Sequence, residues 1–325
     1  MQAFEFANPT TLQEALGLLG EKYSDANILA GGTDLLSLLK DHIHHPKRVV
    51  NIKNIKELGG ISKTSTGLRI GATVTVDDLM SNAAVRSDFP ALIAAARGIA
   101  SPQIRNMGTV GGDLTQRPRC WYFRNGFGLL GMRDGKSLIV DGQNEYHAIF
   151  PEGLAYYISA SSFAPALVAL GAKVKIVSAA GAREVEVAKF FQAPKERGQG
   201  ESDIKPNEIL TEILIPAAKG AKNATYEVRQ KEAMDWPMAA AAVSLRMKGS
   251  TVESARVVLG HVGPKPVLAE AAGKLLAGKS ISESVAEEAG KAAVAGAKPL
   301  SNNGYKVQLT QVAVKRALLE AVKKA

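Results

Sequence analysis

Length, composition and charge describe a globular protein without a membrane span and without the usual features of a nucleic-acid-binding protein. Its 325 residues can bury a sizeable core and suggest two or three domains, and no apolar run approaches the roughly 18 residues that a membrane helix needs. Lys and Arg outnumber Asp and Glu by 40 to 31, but the surplus is spread along the chain and only 6% of residues are aromatic, so we expect an anionic cofactor or an acidic partner rather than nucleic acid.

Cysteine usage and the start of the chain bear on cofactors and location. Cys120 is the only cysteine, which excludes an internal disulfide, and one thiolate cannot hold an iron–sulfur cluster that needs about four. Residues 1–6 lack the basic and apolar regions of an export signal. We therefore expect a cytoplasmic location, and a periplasmic one only by export with a partner subunit.

Two predicted elements flank a glycine pair near the start of the chain. Thr10 or Thr11 can cap a helix that continues to residue 19. His42, His44 and His45 follow a second predicted helix, where histidines suit the helix dipole and a solvated loop. No constellation of Cys, Asp or Glu with recognisable metal-ligand spacing accompanies them, so we expect no metal site.

The glycine pair lies in residues 28–36, where a strand-like apolar run changes to a helical one across Gly31 and Gly32. Glycines permit a sharp turn with positive φ and let a ligand approach the main chain, and Thr33 or Asp34 can cap the following helix. Successive N–H groups at such a turn attract anions, typically a dinucleotide pyrophosphate. An ordinary strand-to-helix turn has the same pattern, so one pair leaves both interpretations open.

The next elements lead to a second glycine pair. Residues 49–76 alternate β-branched runs with Gly and Ser turns, which predicts small mixed sheets. Asp77 is expected to cap a helix, and residues 90–98 predict another, rich in alanine. Residues 108–114 then contain Gly111 and Gly112. Each pair can bring main-chain donors against one ligand, and a Rossmann G-x-G-x-x-G fingerprint occurs at neither place.

Three segments resemble the FAD-binding (medium) subunit of molybdenum hydroxylases, the xanthine dehydrogenase family, and are most similar to its bacterial aldehyde oxidoreductase branch. They are AGGTDLL at residues 30–36, IRNMGTVGGDL at 104–114 and QRPRCWYFR at 116–124. The resemblance implies an α+β fold. A two-lobed FAD-binding domain of the vanillyl-alcohol-oxidase (PCMH) type would occupy residues 1–218, with lobes of about 1–55 and 56–218, and a small α+β C-terminal domain of the CO dehydrogenase flavoprotein type would occupy 219–325.

The resemblance also implies the cofactor, the partners and the site. FAD would lie between the lobes and pass electrons from the iron–sulfur centres of a [2Fe–2S] small subunit to a small-molecule acceptor. Substrate would be oxidised in a molybdopterin-binding large subunit, so no catalytic residue is expected in this chain. The implied cofactor-binding residues are Ile28, Leu29, Ala30, Gly31, Gly32, Thr33, Asp34, Leu35 and Leu36 at the first turn, Thr109, Gly111, Gly112 and Asp113 at the second, and Ser162 and Glu227.

Three positions depart from the family pattern. Cys120 stands where an inserted loop of the aldehyde oxidoreductase branch begins a [4Fe–4S] site, but no further cysteine follows it, so we expect no [4Fe–4S] cluster here. Ser162 replaces an FAD-contacting Asp ahead of an Ala-Pro-Ala-Leu strand, and it retains hydrogen-bonding capacity. Glu227 replaces a flavin-proximal Lys, with Arg229 and Lys231 nearby, which alters the charge beside the flavin.

The C-terminal third contains a misleading motif. Strand-like residues 208–216 and a linker at 217–223 precede two strand- or helix-forming runs, 236–247 and 251–260. Residues 273–280 then match the P-loop pattern G-x-x-x-x-G-K-[ST]. A P-loop needs a preceding buried strand, whereas residues 267–276 predict a helix that stops at Gly278, followed by a capping box from Ser280 to Glu283.

The sequence therefore predicts an FAD-binding electron-transfer subunit of a heteromeric molybdenum hydroxylase. A stand-alone FAD-dependent oxidase of the same broad fold is an alternative, and a P-loop nucleotide hydrolase is a less favoured one. The substrate, and the acceptor among NAD, oxygen, quinone and ferredoxin, are left open.

Overall fold

The computed structural model describes residues 1–231 and 234–323. Its N-terminal region is a parallel sheet in the order β1-β3-β2, made of β1 (Glu5–Ala7), β2 (Ala26–Leu29) and β3 (Arg48–Asn51), with helices α1 (Leu12–Gly17) and α2 (Leu35–Lys40) in the connections. Parallel strands require crossover connections, which the helices supply. The first glycine pair consequently lies between the carboxyl end of β2 and the start of α2.

An antiparallel five-stranded sheet organises the second region, in the order β4-β5-β10-β8-β9. Its strands are β4 (Ile61–Lys63), β5 (Gly67–Gly71), β8 (Lys173–Ser178), β9 (Gly181–Glu186) and β10 (Ile209–Pro216), and a small hairpin contains β6 (Met132–Arg133) and β7 (Lys136–Ser137). The helices are α3 (Val76–Ser81), α4 (Ala83–Asp88), α5 (Pro90–Gly98), α6 (Pro102–Met107), α7 (Val110–Thr115), α8 (Phe163–Ala169) and α9 (Val187–Phe190). Apolar side chains of α5 and α8, such as Leu92 and Phe163, form one core with Ile70 and Ile213 of the sheet.

The third region is an antiparallel sheet covered by helices. The sheet runs in the order β11-β12-β13-β14, made of β11 (Lys222–Val228), β12 (Ala239–Lys248), β13 (Thr251–Gly260) and β14 (Val267–Leu268). The helices are α10 (Glu270–Leu276), α11 (Glu283–Ala293) and α12 (Tyr305–Val322). Val243 and Leu259 of the sheet pack with Ala289 and Leu318 of the helices in a second core. Within the described ranges, no helix is long and apolar enough to cross a membrane.

The segment between α7 and α8 joins the second and third regions. Its core contains Cys120, Phe123, Leu130, Ile139 and Tyr157. The buried Asn144 side chain donates to the hydroxyl of Ser301 (3.0 Å). The ammonium group of Lys306, at the start of α12, donates to the carbonyl oxygens of Tyr146 and His147 (both 3.2 Å) and of His261 (2.8 Å). The two regions therefore share buried hydrogen bonds.

Several predicted helix starts and ends can be compared with the structure. Thr11 caps α1 in a capping box with Glu14, which confirms the first predicted cap. Helix α5 has the predicted bounds, and the two C-terminal runs are strands β12 and β13. The expectation that Asp77 caps a helix is wrong: Thr75 is the cap, since its extended backbone lets its hydroxyl accept from the N–H of Asp78 (3.1 Å).

Two other expectations about secondary structure are wrong. The Ala-Pro-Ala-Leu segment is helix α8 rather than a strand, because proline is tolerated in the first turn of a helix. At the P-loop match, helix α10 ends before Gly278, which has φ +77°, as predicted, but it begins at Glu270 because Val267 and Leu268 form β14, and Ser282 rather than Ser280 caps α11. A two-residue strand and a helix therefore precede the Lys-Ser pair, and the arrangement is not that of a P-loop.

Candidate functional site

The two glycine turns are in direct contact. A Cβ atom added to Gly31 would overlap the carbonyl oxygen of Met107 and lie 2.9 Å from the Cα of Gly108. Real Cβ atoms do not approach backbone so closely, so only glycine fits at position 31. The contact brings the loop after β2 against the loop between α6 and α7, as expected if the two turns face one ligand.

A cleft of about 560 Å³ lies between the two turns, within the range of roughly 300–1,000 Å³ for small-molecule sites. Leu29, Leu36 and Glu227 lie outside its lining, and Leu36 is 45% exposed. The other residues that the sequence indicated do line it: Ile28, Ala30, Gly31, Gly32, Thr33, Asp34, Leu35, Thr109, Gly111, Gly112, Asp113 and Ser162.

The first turn leaves a run of main-chain donors unused. Gly32 has φ +73°, and the first hydrogen bond of α2 runs from the N–H of Leu36 to the carbonyl of Gly32 (3.2 Å). Among described residues, the five N–H groups of residues 31–35 meet no hydrogen-bond acceptor, although all five residues line the cleft. Such a run of amides can bind an anion.

The second turn uses its main chain differently. The N–H groups of Val110 and Gly111 donate to the carbonyls of Val74 and Ala72 (both 2.9 Å), and that of Gly112 donates to the hydroxyl of Thr109 (3.1 Å). These amides are satisfied by the chain itself. Unlike the N–H groups of residues 31–35, these three N–H groups of the second turn are therefore not left for a ligand.

Gly111 and Asp113 give the second turn a packing role. A Cβ on Gly111 would lie 2.8 Å from the carbonyl oxygen of Ala72, so the glycine allows a close approach of two backbones. The buried carboxylate of Asp113 accepts from the hydroxyl of Ser161 and from the N–H groups of Ser162 (3.3 Å) and Phe163 (3.1 Å). It thereby holds the start of α8, and burial raises the pKa of Asp113 to about 6.

Asp34 is occupied by arginines instead of capping α2. It makes no side-chain capping bond. Its carboxylate forms ion pairs with Arg119 and with Arg124 (2.8 Å) and accepts from the N–H of Arg117 (2.8 Å). Burial alone would raise the pKa of Asp34, but the two guanidinium groups outweigh it and hold the pKa below its ordinary value.

Sequence reasoning missed the arginines as site residues. Arg117 and Arg119 line the cleft, and Arg117 is ion-paired with the buried Glu201 (2.9 Å). Three arginines within eight residues, directly after the second glycine pair, were the available signal. Nothing local in the sequence indicated that Asp34, more than eighty positions earlier, would receive them.

Glu227 lies behind the wall of the cleft. It forms a buried ion pair with Arg229, and a Cβ on the cleft-lining Gly98 would overlap both side chains. Burial raises the pKa of Glu227 to about 7, against the opposing effect of Arg229. The backbone of Gly98 therefore separates this pair from the cleft.

The surroundings of Cys120 do not suit a [4Fe–4S] cluster. The buried thiol lies 3.2 Å from Nε2 of His147, and burial raises the thiol pKa. Phe123, Leu130 and Ile139 fill the space around it. In the part of the chain that the structure describes, no group of three or more His, Cys, Asp or Glu side chains could hold a metal ion.

Two family models match the chain. "FAD binding domain in molybdopterin dehydrogenase" matches residues 2–218, and "CO dehydrogenase flavoprotein C-terminal domain" matches residues 224–321. Together with the mixed helices and strands, they confirm the predicted α+β class of an FAD-binding-type domain and a small C-terminal domain.

Relatives of similar length extend along almost the whole chain. The carbon monoxide dehydrogenase medium chain of Hydrogenophaga pseudoflava is 30% identical and covers 97% of this chain and 96% of its own length. The aldehyde oxidoreductase FAD-binding subunit PaoB of Escherichia coli is 30% identical, with 99% of each chain covered.

Solved structures show the same fold. A chain of carbon monoxide dehydrogenase from Hydrogenophaga pseudoflava superposes with a TM-score of 0.78 at 30% identity, covering 98% of this chain and 97% of the other. Quinoline 2-oxidoreductase from Pseudomonas putida 86 gives a TM-score of 0.78 at 26% identity, with 98% and 97% covered. This chain therefore belongs to the family of FAD-binding medium subunits of the xanthine dehydrogenase and carbon monoxide dehydrogenase type.

Proposed function

We propose that this chain binds FAD in the cleft between its two glycine turns and acts as the electron-transfer subunit of a heteromeric molybdenum hydroxylase. One observation carries the proposal: the run of unused N–H groups at residues 31–35 faces a cleft in a chain that matches an FAD-binding family model. Bound flavin supplies the redox chemistry, accepting electrons from one partner and passing them to another. The chain's own part is to bind and orient it.

The first turn would bind the pyrophosphate and ribityl region of FAD. In this proposal Gly31, Gly32, Thr33, Asp34 and Leu35 contribute their main-chain N–H groups. Ile28 and Ala30 form the adjoining wall, while Leu29 and Leu36 support the turn from outside the cleft.

The second turn would form the opposite wall of the FAD site. Thr109, Gly111 and Gly112 shape it, because their backbone is fixed against residues 72–74. The carboxylate of Asp113 accepts from the N–H of Ser162 and thereby holds Ser162 in the lining. Glu227 would act from behind Gly98 together with Arg229, with which it forms an ion pair.

The proposal includes two partners and a small-molecule electron acceptor. A molybdopterin-binding large subunit would oxidise the substrate, and a [2Fe–2S] small subunit would deliver electrons. The relatives are medium chains or FAD-binding subunits by name, which supports a multi-subunit assembly. We also propose a cytoplasmic location, which suits the free thiol of Cys120.

The proposed domain boundary lies at residues 218 and 219, with lobes of about 1–55 and 56–218 before it. Strand β10 ends at Pro216 in the five-stranded sheet, and β11 begins at Lys222 in another sheet. The parallel sheet of the N-terminal region ends with β3 at Asn51, close to the proposed division between lobes.

The visible spectrum of the purified chain tests FAD binding. We expect a flavin absorption band, or stoichiometric FAD uptake by the apoprotein, and no additional broad absorption that is lost on reduction. Absence of both band and uptake would overturn the proposal. A broad band from a cluster would contradict the absence of [4Fe–4S].

Affinity purification from the native host tests the assembly. We expect a tagged chain to co-purify with two other subunits that contain molybdenum and iron. A chain that purifies alone and oxidises substrate with its own flavin would instead be a stand-alone oxidase.

A further inference from the structure

The guanidinium group of Arg119 lies where three parts of the fold meet. It forms an ion pair with Asp34 of the first turn and donates from Nη2 to Oε1 of Gln116 (2.8 Å). Its central carbon lies 4.7 Å from the centre of the Trp236 ring, a cation–π arrangement. These contacts fix the guanidinium plane beside the cleft that Arg119 lines.

One donor of Arg119 has no partner. Its Nε atom is buried and meets no acceptor on any residue that the structure describes. Buried donors in native proteins are almost always paired, by protein, water or ligand. The structure thus leaves this N–H of Arg119 without an acceptor from the described part of the chain.

The charges around Arg119 form a partly buried cluster. Three guanidinium groups, on Arg117, Arg119 and Arg124, form ion pairs with two carboxylates, on Asp34 and Glu201, and the charge of a third acidic group, on Asp113, also acts on Arg119. Burial raises the pKa of Glu201 and so disfavours its negatively charged form. Three guanidinium groups at one side of the cleft favour an anion there.

The other two arginines are less suited to that anion. Arg124 lies outside the cleft lining and donates to the carbonyls of Pro118 (3.0 Å) and Arg117 (3.2 Å). Arg117 also has a buried Nε that meets no hydrogen-bond criterion, but this atom lies 2.9 Å from the carboxylate of Glu201, with which Arg117 forms an ion pair. Of the three arginines, Arg119 alone lines the cleft, forms an ion pair with Asp34 of the first turn and has a buried Nε without an acceptor.

We propose that Arg119 is a binding residue for the phosphate groups of the cofactor, with Asp34 and Trp236 as positioning residues. The inference rests on the proposed FAD function and adds to the main-chain donors of residues 31–35 a cationic side chain from the segment after the second turn. A charge-assisted hydrogen bond from a guanidinium to phosphate is short and strong.

Fluorescence titration of the apoprotein with FAD tests the proposal, with R119Q as variant and R124Q as matched control. Both variants remove a cation from Asp34, but only Arg119 lines the cleft. We expect R119Q to weaken FAD binding about 10–100-fold, as for loss of a hydrogen bond to a charged group. R124Q should weaken it no more than about threefold, and the salt dependence of FAD affinity should decrease only in R119Q.

Equal losses in the two variants would overturn the proposal, since the arginines would then act only through Asp34. An R119Q affinity within about threefold of wild type would also overturn it. Thermal unfolding of each apoprotein shows whether the variant folds. If R119Q does not fold, the FAD affinity of R119K tests the proposal instead. R119K keeps the charge without the Nε donor, so we expect about 3–10-fold weaker binding, and an unchanged affinity contradicts the proposal. Failure of the wild-type chain to bind FAD would instead refute the proposed function.

Discussion

The two glycine turns have nearly the same sequence pattern but use their backbones in opposite ways. At the first turn, five consecutive N–H groups are left for a ligand, within the described part of the chain. At the second, the N–H groups of Val110, Gly111 and Gly112 bond to residues 72–74 and to Thr109. A glycine pair thus permits either ligand approach or close backbone packing, and only the hydrogen bonds distinguish the two roles.

The largest expected effect is that of G31A. The added methyl group overlaps the carbonyl oxygen of Met107, so the turns must separate and the N–H run must move. We expect FAD affinity, measured by fluorescence titration, to fall at least 100-fold, since several charge-assisted hydrogen bonds are lost together.

G111A is the comparison for G31A. Its methyl group would lie 2.8 Å from the carbonyl oxygen of Ala72, which costs about 1–3 kcal/mol of stability as overpacking but displaces none of the unused donors. We expect a lower Tm and about a tenfold or smaller loss of FAD affinity. Equal affinity losses in G31A and G111A would show that both turns bind the ligand through their main chains.

The pH dependence of the difference in stability between wild type and D113N tests the packing role of the second turn. The pKa of Asp113 is raised to about 6 in the folded chain, so protonation favours the folded state, and stability from this group is gained as pH falls from above 6 to about 4. The free energy of unfolding of wild type, minus that of D113N, should increase by about 1–3 kcal/mol over that range. Urea denaturation of the apoproteins measures it, and a difference that decreases as the pH falls would contradict the prediction.

The smallest effect is expected from G32A, with G60A as its control. Both glycines have nearly the same positive φ, +73° and +74°, so alanine should cost each about 1–2 kcal/mol in stability through backbone strain, and at position 32 the added Cβ also meets Cδ1 of Leu29 at 3.1 Å. Only Gly32 lines the cleft. FAD affinity should therefore fall in G32A alone, by about 3–10-fold, and a similar loss in G60A would mean that the effect is one of stability.

The sequence predicted features that depend on local pattern. The bounds of α5 and the cap of α1 follow from short-range propensities. The matching composition of the two turns also predicted that they face one ligand, and the turns do lie in contact, although the amides of the second glycine pair bond within the chain.

Features that depend on distant partners could not be predicted. The amides of the second turn are satisfied by residues 72–74, and the carboxylate of Asp34 is diverted from its cap by Arg119 and Arg124. Both outcomes depend on which chain segments pack together, which a pattern of residue types does not specify. The position of Glu227 behind Gly98 also depends on which chain segments pack together.

Lys306 has a consequence for how the chain could be divided. Its ammonium group binds carbonyl oxygens from two segments, at residues 146–147 and at His261, and burial lowers its pKa to about 7. Removal of the C-terminal region would leave the carbonyls of Tyr146 and His147 and the side chain of Asn144 without these partners. Cleavage of the linker between β10 and β11 would therefore leave two fragments that share buried hydrogen bonds of Lys306 and Asn144.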